Sequence, residues 1–182
     1  MTAVFFVETD IALIEKHHYA MLKRLAVESP LRRARICLHP DREDPLHEMI
    51  IAFCRDSYVA PHRHHDKSES FHLIEGQVMI VTFNEAGEPT YRVTLGDPST
   101  GKPSIYRLNC KLWHTVIPLT EFVILHETTN GPFIRHQTDY APWGPKDGDI
   151  PAIEAFLHRA QTQTMAEPPP RVLKPPMPRE EP

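Results

Sequence analysis

The segment PHRHHDKSESFHLIEG, residues 61–76, combines side chains that bind transition metals with the spacing of an extended chain. Successive side chains of a strand point to opposite faces, so an extended segment places His62 and His64 on one face. We expect a hairpin loop at residues 66–68, after which Glu69 opens the neighbouring strand and its carboxylate returns towards the two imidazoles. Because imidazole and carboxylate groups together suit divalent transition metals, the segment indicates a metal site.

The same alternation argues against two further histidines of the segment as metal ligands. His65 directly follows His64, so its side chain points to the opposite face of the strand. His72 stands between Phe71 and Leu73, which the alternation places on the inner face. We therefore expect His65 and His72 to point outwards.

Short β-rich runs separated by turn residues make up most of the chain and must position this segment. Gly76 can supply the positive φ of a tight hairpin, residues 84–87 form a second hairpin turn, and residues 96–103 form a longer loop. Many short strands at similar spacing favour a barrel or double-sheet jelly roll. The runs are RRARICLH, EMIIAF, SFHLI, QVMIVTF, YRVTL, SIYRL, LWHTVIPL and EFVILHE.

Helical periodicity occurs near both ends of the chain. The first predicted helix is capped by Thr9 or Asp10 and stops at Ser29-Pro30. Its apolar positions recur at helical spacing at Ile11, Ile14, Met21, Leu22 and Leu25. In the second predicted helix Asp149 is the cap and Pro151 fits an early position. Its apolar face consists of Ile153, Phe156 and Leu157.

The metal-binding segment resembles the first motif of the cupin superfamily. That motif, His-x-His-x4-Glu-x6-Gly, is matched at each specified position by His62, His64, Glu69 and Gly76. In cupins a histidine about two strands later is the fourth ligand, and this resemblance assigns that role to His114. Asn109 and Lys111 stand where this second motif usually has proline and glycine.

The chain also resembles the WbuC family of cupin-fold metalloproteins, small bacterial proteins often associated with O-antigen and other surface-polysaccharide gene clusters. The resemblance is carried by SPLRRARICLHP, PHRHHDKSESFHLIEG, LWHTVIPL and ETTNGPF, followed by APWGP. It implies a mainly β protein: a single cupin double-stranded β-helix, or jelly-roll barrel, with an N-terminal helical extension and a short C-terminal helix.

These patterns predict one domain with extensions at both ends. We expect an N-terminal strand and helix extension at residues 1–30, the cupin β-barrel at 31–137, and a C-terminal loop and helix at 138–165. Residues 166–182 are rich in proline and charge, so we expect a disordered tail there.

Three functions are compatible with a site of three imidazoles and one carboxylate. The first, which the resemblance to the WbuC family implies, is an enzyme of bacterial surface-polysaccharide (O-antigen, lipopolysaccharide) biosynthesis, such as an isomerase or epimerase, acting on a sugar or sugar-nucleotide-like ligand. The second is an Fe(II)-dependent dioxygenase, and the third is a non-catalytic carbohydrate-binding or assembly module with a structural metal. Fe, Mn, Ni, Co and Zn all suit this donor set.

Two pairs of residues outside the ligand set are further candidates. His126 and Glu127 end the last apolar strand, where one of them could face the barrel mouth as a catalytic base or as a partner of a metal ligand, or both could be solvated polar residues of a strand end. Arg33 and Arg35 share a strand face, where they could hold an anionic ligand or be charges on a solvated sheet edge.

Composition limits the remaining alternatives. A net charge of −4 provides no basic stripe, so we expect no nucleic-acid partner. No apolar run is long enough for a membrane span and no basic segment precedes the short apolar start, so we expect a cytoplasmic protein. Three well-separated cysteines suit reduced thiols. The expected partners are a small-molecule ligand and, as an open alternative, a second chain in a homodimer.

Overall fold

The computed structural model describes residues 3–109, 111–134 and 137–165. The predicted tail at 166–182 therefore lies outside the described residues. The described residues form β-strands in two sheets, together with two α-helices and a 3-10 helix at Pro98–Thr100. The strands are β1 (Val4–Phe6), β2 (Arg33–Cys37), β3 (Leu46–Cys54), β4 (His62–His64), β5 (Glu69–Glu75), β6 (Val78–Phe83), β7 (Pro89–Leu95), β8 (Ile105–Leu108), β9 (Trp113–Pro118), β10 (Phe122–Asn130) and β11 (Thr138–Tyr140).

The two sheets define a jelly-roll barrel. The larger sheet has the order β1-β2-β3-β10-β5-β8 and the smaller sheet the order β11-β4-β9-β6-β7. All pairs are antiparallel except β1 with β2. From β3 to β6, and again from β8 to β11, consecutive strands alternate between the sheets. This confirms the fold class predicted from the sequence.

The alternation between sheets corrects two sequence predictions of hairpins. β4 and β5 lie in different sheets, so residues 66–68 connect the sheets and do not form a hairpin loop. Gly76 has the predicted positive φ of 85°, but it too lies in a crossing between the sheets, from β5 to β6. A β-carbon there would lie 2.3 Å from the carbonyl oxygen of Phe122. Glycine is therefore required both by φ and by the close approach. The predicted turn at residues 84–87 does join a hairpin, β6 with β7.

Apolar side chains fill the space between the sheets and cover both outer faces. Twelve buried residues form the interior cluster, including Phe71 and Leu73 from β5 and Val116 from β9. α1 (Lys16–Glu28) packs on the outer face of the larger sheet through Leu22 and Ala26. α2 (Ile150–Thr162) packs on the outer face of the smaller sheet. The order of layers is therefore helix, sheet, sheet, helix.

The first helix begins later than the sequence predicts. Its N-cap is Glu15, whose backbone N–H donates to Nδ1 of His18 at 3.0 Å. The Thr9 hydroxyl donates instead to the carbonyl of Ile11, and Ile11 is 78% exposed. The prediction of a cap at Thr9 or Asp10 is therefore wrong, because the local hydrogen bond of Thr9 competes with capping. The predicted stop at Ser29 is confirmed.

The second helix begins where the sequence predicts. The side chain of Asp149 accepts from the backbone N–H of Ala152 at 3.3 Å, as an N-cap does. Ile153 and Phe156 are buried, and Phe156 packs against the smaller sheet. Neither helix of the described chain has the length and apolar composition that crossing a membrane requires.

Candidate metal centre

Both sheets contribute to a group of three imidazoles and one carboxylate inside the barrel. His62 and His64 lie on β4 and His114 on β9, which is hydrogen-bonded to β4 with His62 opposite His114. Glu69 opens β5 in the facing sheet. One potential ligand atom from each residue lies within 4.8 Å of the others. Ligand atoms about 2.1 Å from a shared ion would be at most about 4.2 Å apart. A small movement of these side chains towards one another would therefore bring all four ligand atoms into the coordination sphere of one ion.

Backbone carbonyls orient two of the imidazoles. His62 Nδ1 lies 2.9 Å from the carbonyl oxygen of Ala60, and His114 Nδ1 lies 2.9 Å from that of Leu112. Since a carbonyl only accepts, each Nδ1 carries a proton and each neutral ring presents the lone pair of Nε2 to the site. Metal-ligating histidines commonly have such an outer partner, which holds the ring and its tautomer.

His64 is held by a side chain from the neighbouring strand. Its Nδ1 lies 2.9 Å from the hydroxyl oxygen of Thr138 on β11, and its Nε2 lies 3.5 Å from Glu69 Oε2. The ring centroids of His62 and His64 are 4.9 Å apart, and those of His62 and His114 are 4.3 Å apart. The three rings therefore converge on one side of the Glu69 carboxylate.

The contact between His114 and Glu69 requires a cation. His114 Nε2 and Glu69 Oε1 are 2.9 Å apart, and both residues are almost fully buried. Their contact lacks hydrogen-bond geometry, and neither atom has a hydrogen-bond partner among the described residues. A neutral His114 would direct a lone pair at the carboxylate oxygen. Only a proton or a metal ion between them makes this buried arrangement favourable.

The protonation states in the site suit metal binding. Burial, followed by the charge of His114, lowers the pKa of His62 to about 3, so this ligand is neutral at pH 7. Burial opposes ionisation of Glu69, but the positive charge of His114, the side-chain contacts with His114 and His64, and the charge of His62 together outweigh burial and lower the pKa of the carboxyl. Burial likewise disfavours a charged His114, yet Glu69 raises the pKa of His114 overall. A metal ion would take the place of that proton.

The histidines expected to face outwards do so. His65 Nε2 lies 2.8 Å from Asp139 Oδ2, and Arg63 binds the same carboxylate and stacks over Trp113. His72 is exposed. Strand parity therefore separated the candidate ligands from their neighbours correctly.

The structure brings Glu127 towards the site and turns His126 away. Glu127 is half-buried and pairs in register with Met49 and Phe71, both in the interior cluster. Burial and then the negative charge of Glu69 raise the pKa of Glu127 to about 7. His126 lies on the opposite face of β10, 3.4 Å from Glu48. A catalytic role for Glu127 stays a prediction. The side chain of His126 points to the outer face of the sheet, away from the candidate metal ligands.

Sequence reasoning missed the contribution of β11. Thr138 pairs with His64 and Tyr140 with His62, and the ring of Tyr140 lies 6.2 Å from that of His62. The three-residue strand is too short for a period-2 pattern, so the sequence carries no signal for it. The sequence also carries no signal for the backbone carbonyls that accept from His62 and His114, because every residue has a carbonyl group.

The fold and the site together define a class: a jelly-roll barrel with a candidate metal site of three imidazoles and one carboxylate in its interior. Residues 14–95, slightly less than half of the chain, match a family model described as a domain of unknown function, DUF6016. No curated protein matches the sequence. The resemblance to the WbuC family is thus not confirmed by these comparisons.

Solved structures with similar folds are distant in sequence. Protein SO0799 from Shewanella oneidensis is 14% identical, with 70% of this chain and 78% of that chain covered and a TM-score of 0.48. CapF, solved with the inhibitor 3-isopropenyl-tropolone, is 16% identical over 62% of this chain and 32% of that chain, with a TM-score of 0.48. A cupin superfamily protein from Desulfitobacterium hafniense is 10% identical over 54% and 76%, with a TM-score of 0.41. No conclusion about activity follows from these similarities.

Proposed function

We propose that the protein binds a divalent transition metal and, through the metal, a small oxygen-rich ligand of the sugar or sugar-nucleotide type. The metal ligands are His62, His64, Glu69 and His114. The observation that carries the proposal is the convergence of one potential ligand atom from each of these four residues within 4.8 Å. The buried contact of His114 Nε2 with Glu69 Oε1 at 2.9 Å, which needs a proton or a metal ion between the two atoms, supports it. The resemblance to the WbuC family extends the proposal to bacterial surface-polysaccharide biosynthesis.

The donor set and its exposure support exchangeable ligands over a closed structural metal. Three imidazoles and one carboxylate suit Fe, Mn, Ni, Co or Zn, and a six-coordinate ion would keep two further positions. His62 and His64 are half-buried, whereas Glu69 and His114 are buried. The site is therefore closest to solvent on the β4 side, which is where a ligand would enter.

Each residue has a defined task in this proposal. A bound metal would act as a Lewis acid towards the ligand's oxygen atoms. Glu69 supplies the negative charge that offsets the cation, and Thr138 holds the ring of His64. Glu127, with a pKa of about 7, holds or releases a proton near neutral pH at the interior face of β10. This is the task that an isomerisation or epimerisation would require of it.

A titration of the Co(II)-substituted protein tests the proposal. The probes are sugars, sugar nucleotides, and 2-oxo and catechol-like acids, and the readout is the visible absorption of cobalt. We expect a sugar or sugar nucleotide to shift the cobalt bands and the shift to vanish in Glu69→Ala. Glu75→Ala, at the exposed end of the same strand, is the matched control and should retain the response.

Two other outcomes favour the alternatives. Bands shifted only by an oxo acid or a catechol, with oxygen consumed by the Fe(II) form, would assign the site to an iron-dependent dioxygenase. A saturated metal with no response to any probe would refute the ligand-binding proposal and leave a structural metal.

A further inference from the structure

Arg33 and Arg35 on β2 point into the space between the two sheets. They pair in register with Phe53 and Ile51 of β3, which both belong to the interior cluster. Cys37, two residues further along the same face, is buried in that cluster as well. Arg33 is half-buried and Arg35 exposed. The pair thus lies where the barrel interior opens to solvent.

β2 is not a free edge of its sheet. β1 pairs in parallel with β2, with Val4 opposite Arg35. Charges on an edge strand protect against sheet-to-sheet association, but a strand that is covered on both sides needs no such protection. β1 covers β2 from Arg35 to Cys37, so a solvated sheet edge does not account for Arg35.

The two guanidinium groups form no ion pair with any carboxylate of the described residues. No described carboxylate lies within 4.0 Å of either group in an ion pair. Burial, followed by repulsion from Arg35, lowers the pKa of Arg33, and the attractions of Tyr140, Asp147 and Glu127 do not offset them. A partly buried cation beside a second, exposed cation, with no ion pair among the described residues, is ready to bind an anion.

The position of Glu127 connects the arginines to the metal centre. Glu127 on β10 lies opposite Met49 on β3, which in turn lies opposite Cys37 on β2. All three are on the interior face of the sheet, which also carries Arg35. Its carboxyl is influenced by the charges of both arginines and by those of Glu69 and His114. In the strand order, Glu69 lies on β5 on one side of β10, and the two arginines lie on β2 on its other side, beyond β3. Glu127 therefore lies between the arginines and the carboxylate ligand on the interior face of the larger sheet.

We propose that Arg33 and Arg35 bind a carboxylate or phosphate group of a ligand whose other oxygen atoms bind the metal. The inference rests on the proposed function and narrows its substrate class to anionic, oxygen-rich molecules. Two guanidinium groups two positions apart on a strand can each direct N–H donors to one oxyanion. A neutral sugar cannot use this second contact.

Inorganic phosphate is the probe for the arginine pair alone. Melting temperature is measured for the full-length chain against phosphate concentration at constant ionic strength, as purified and after stripping with EDTA. We expect a saturable rise in both samples. In Arg33→Gln and Arg35→Gln the apparent dissociation constant should increase about tenfold or more, with a smaller increase in Arg33→Lys, which keeps the charge. Arg24→Gln removes an exposed arginine of α1 and is the matched control.

A second readout separates ligand binding from a structural role. Without phosphate, Arg33→Gln should melt at the same or a higher temperature than the original chain, because it removes a partly buried charge that has no ion pair among the described residues. A clear fall in melting temperature would show that Arg33 supports the fold, and would overturn the proposal.

The metal-free sample distinguishes failure of this inference from failure of the metal site. The inference would be overturned if the stabilisation by phosphate disappeared after EDTA treatment. It would also be overturned if phosphate stabilised Arg33→Gln and Arg35→Gln as much as the original chain. The same holds if phosphate has no effect on the original chain. A chain that binds no metal but loses its phosphate response in these two variants would refute the metal proposal and keep the oxyanion site. To extend the result to a ligand, glucose 6-phosphate should shift the Co(II) bands at lower concentration than glucose does.

Discussion

Replacing His64 with alanine should remove most of the stabilisation that the metal provides. A ligand that binds only the folded state stabilises it by RT ln(1 + [L]/Kd), which is about 2.7 kcal/mol at a hundredfold excess over Kd. In a chain of this length, 1 kcal/mol shifts the melting temperature by about 2–4 °C. Stripping the original chain with EDTA should therefore lower its melting temperature by about 5–11 °C.

Loss of one of four ligands reduces this response sharply. If the His64→Ala change weakens metal affinity a hundredfold, the same metal concentration equals Kd and the stabilisation falls to about 0.4 kcal/mol. The EDTA response should then be about 1–2 °C. The comparison uses the difference between metal-loaded and stripped samples, so a general loss of stability in the variant cancels. Scanning fluorimetry gives the melting temperatures and elemental analysis gives the metal content.

The adjacent histidine is the control for the reasoning. His65 lies one residue further along the chain and binds Asp139 on the outer face. His65→Ala should keep the full EDTA response and the same metal content. A loss as large as that of His64→Ala, or well under one metal per chain in the original protein after reloading, would refute the site derived from strand parity.

Three further predictions concern the core, a turn and pH. Leu22→Ala should lower the free energy of unfolding by about 2–5 kcal/mol in urea titrations, whereas Val27→Ala on the exposed side of the same helix should change it little. Gly76→Ala should destabilise the fold more than Gly101→Ala, because both have positive φ but only at Gly76 would a β-carbon meet backbone. Metal affinity should fall as the pH is lowered through the raised pKa of His114, since binding displaces a proton; a pH-independent Co(II) affinity would contradict this.

The sequence by itself was sufficient for the identity of the candidate ligands and for the outline of the fold. Side-chain alternation is a local property of any extended chain, so it separates His64 from His65 wherever the strand lies. The same rule placed Glu69 on the buried face of β5. Capping is local too, which is why Asp149 was recognised as the start of α2.

The tertiary structure alone decided which sheet each strand joins and what surrounds each ligand. β4 and β5 are joined by four residues and lie in different sheets, so the imidazoles and the carboxylate meet across the barrel interior and not within a hairpin. Alternation sets His126 and Glu127 apart, yet only the packing of β10 against the other sheet shows that Glu127 is the inner residue. The partner of His64, Thr138, is 74 residues away. Hydrogen bonds between strands join backbone groups that every residue carries, so the local sequence does not specify which strands pair. The pairing is selected by the burial of whole sheet faces.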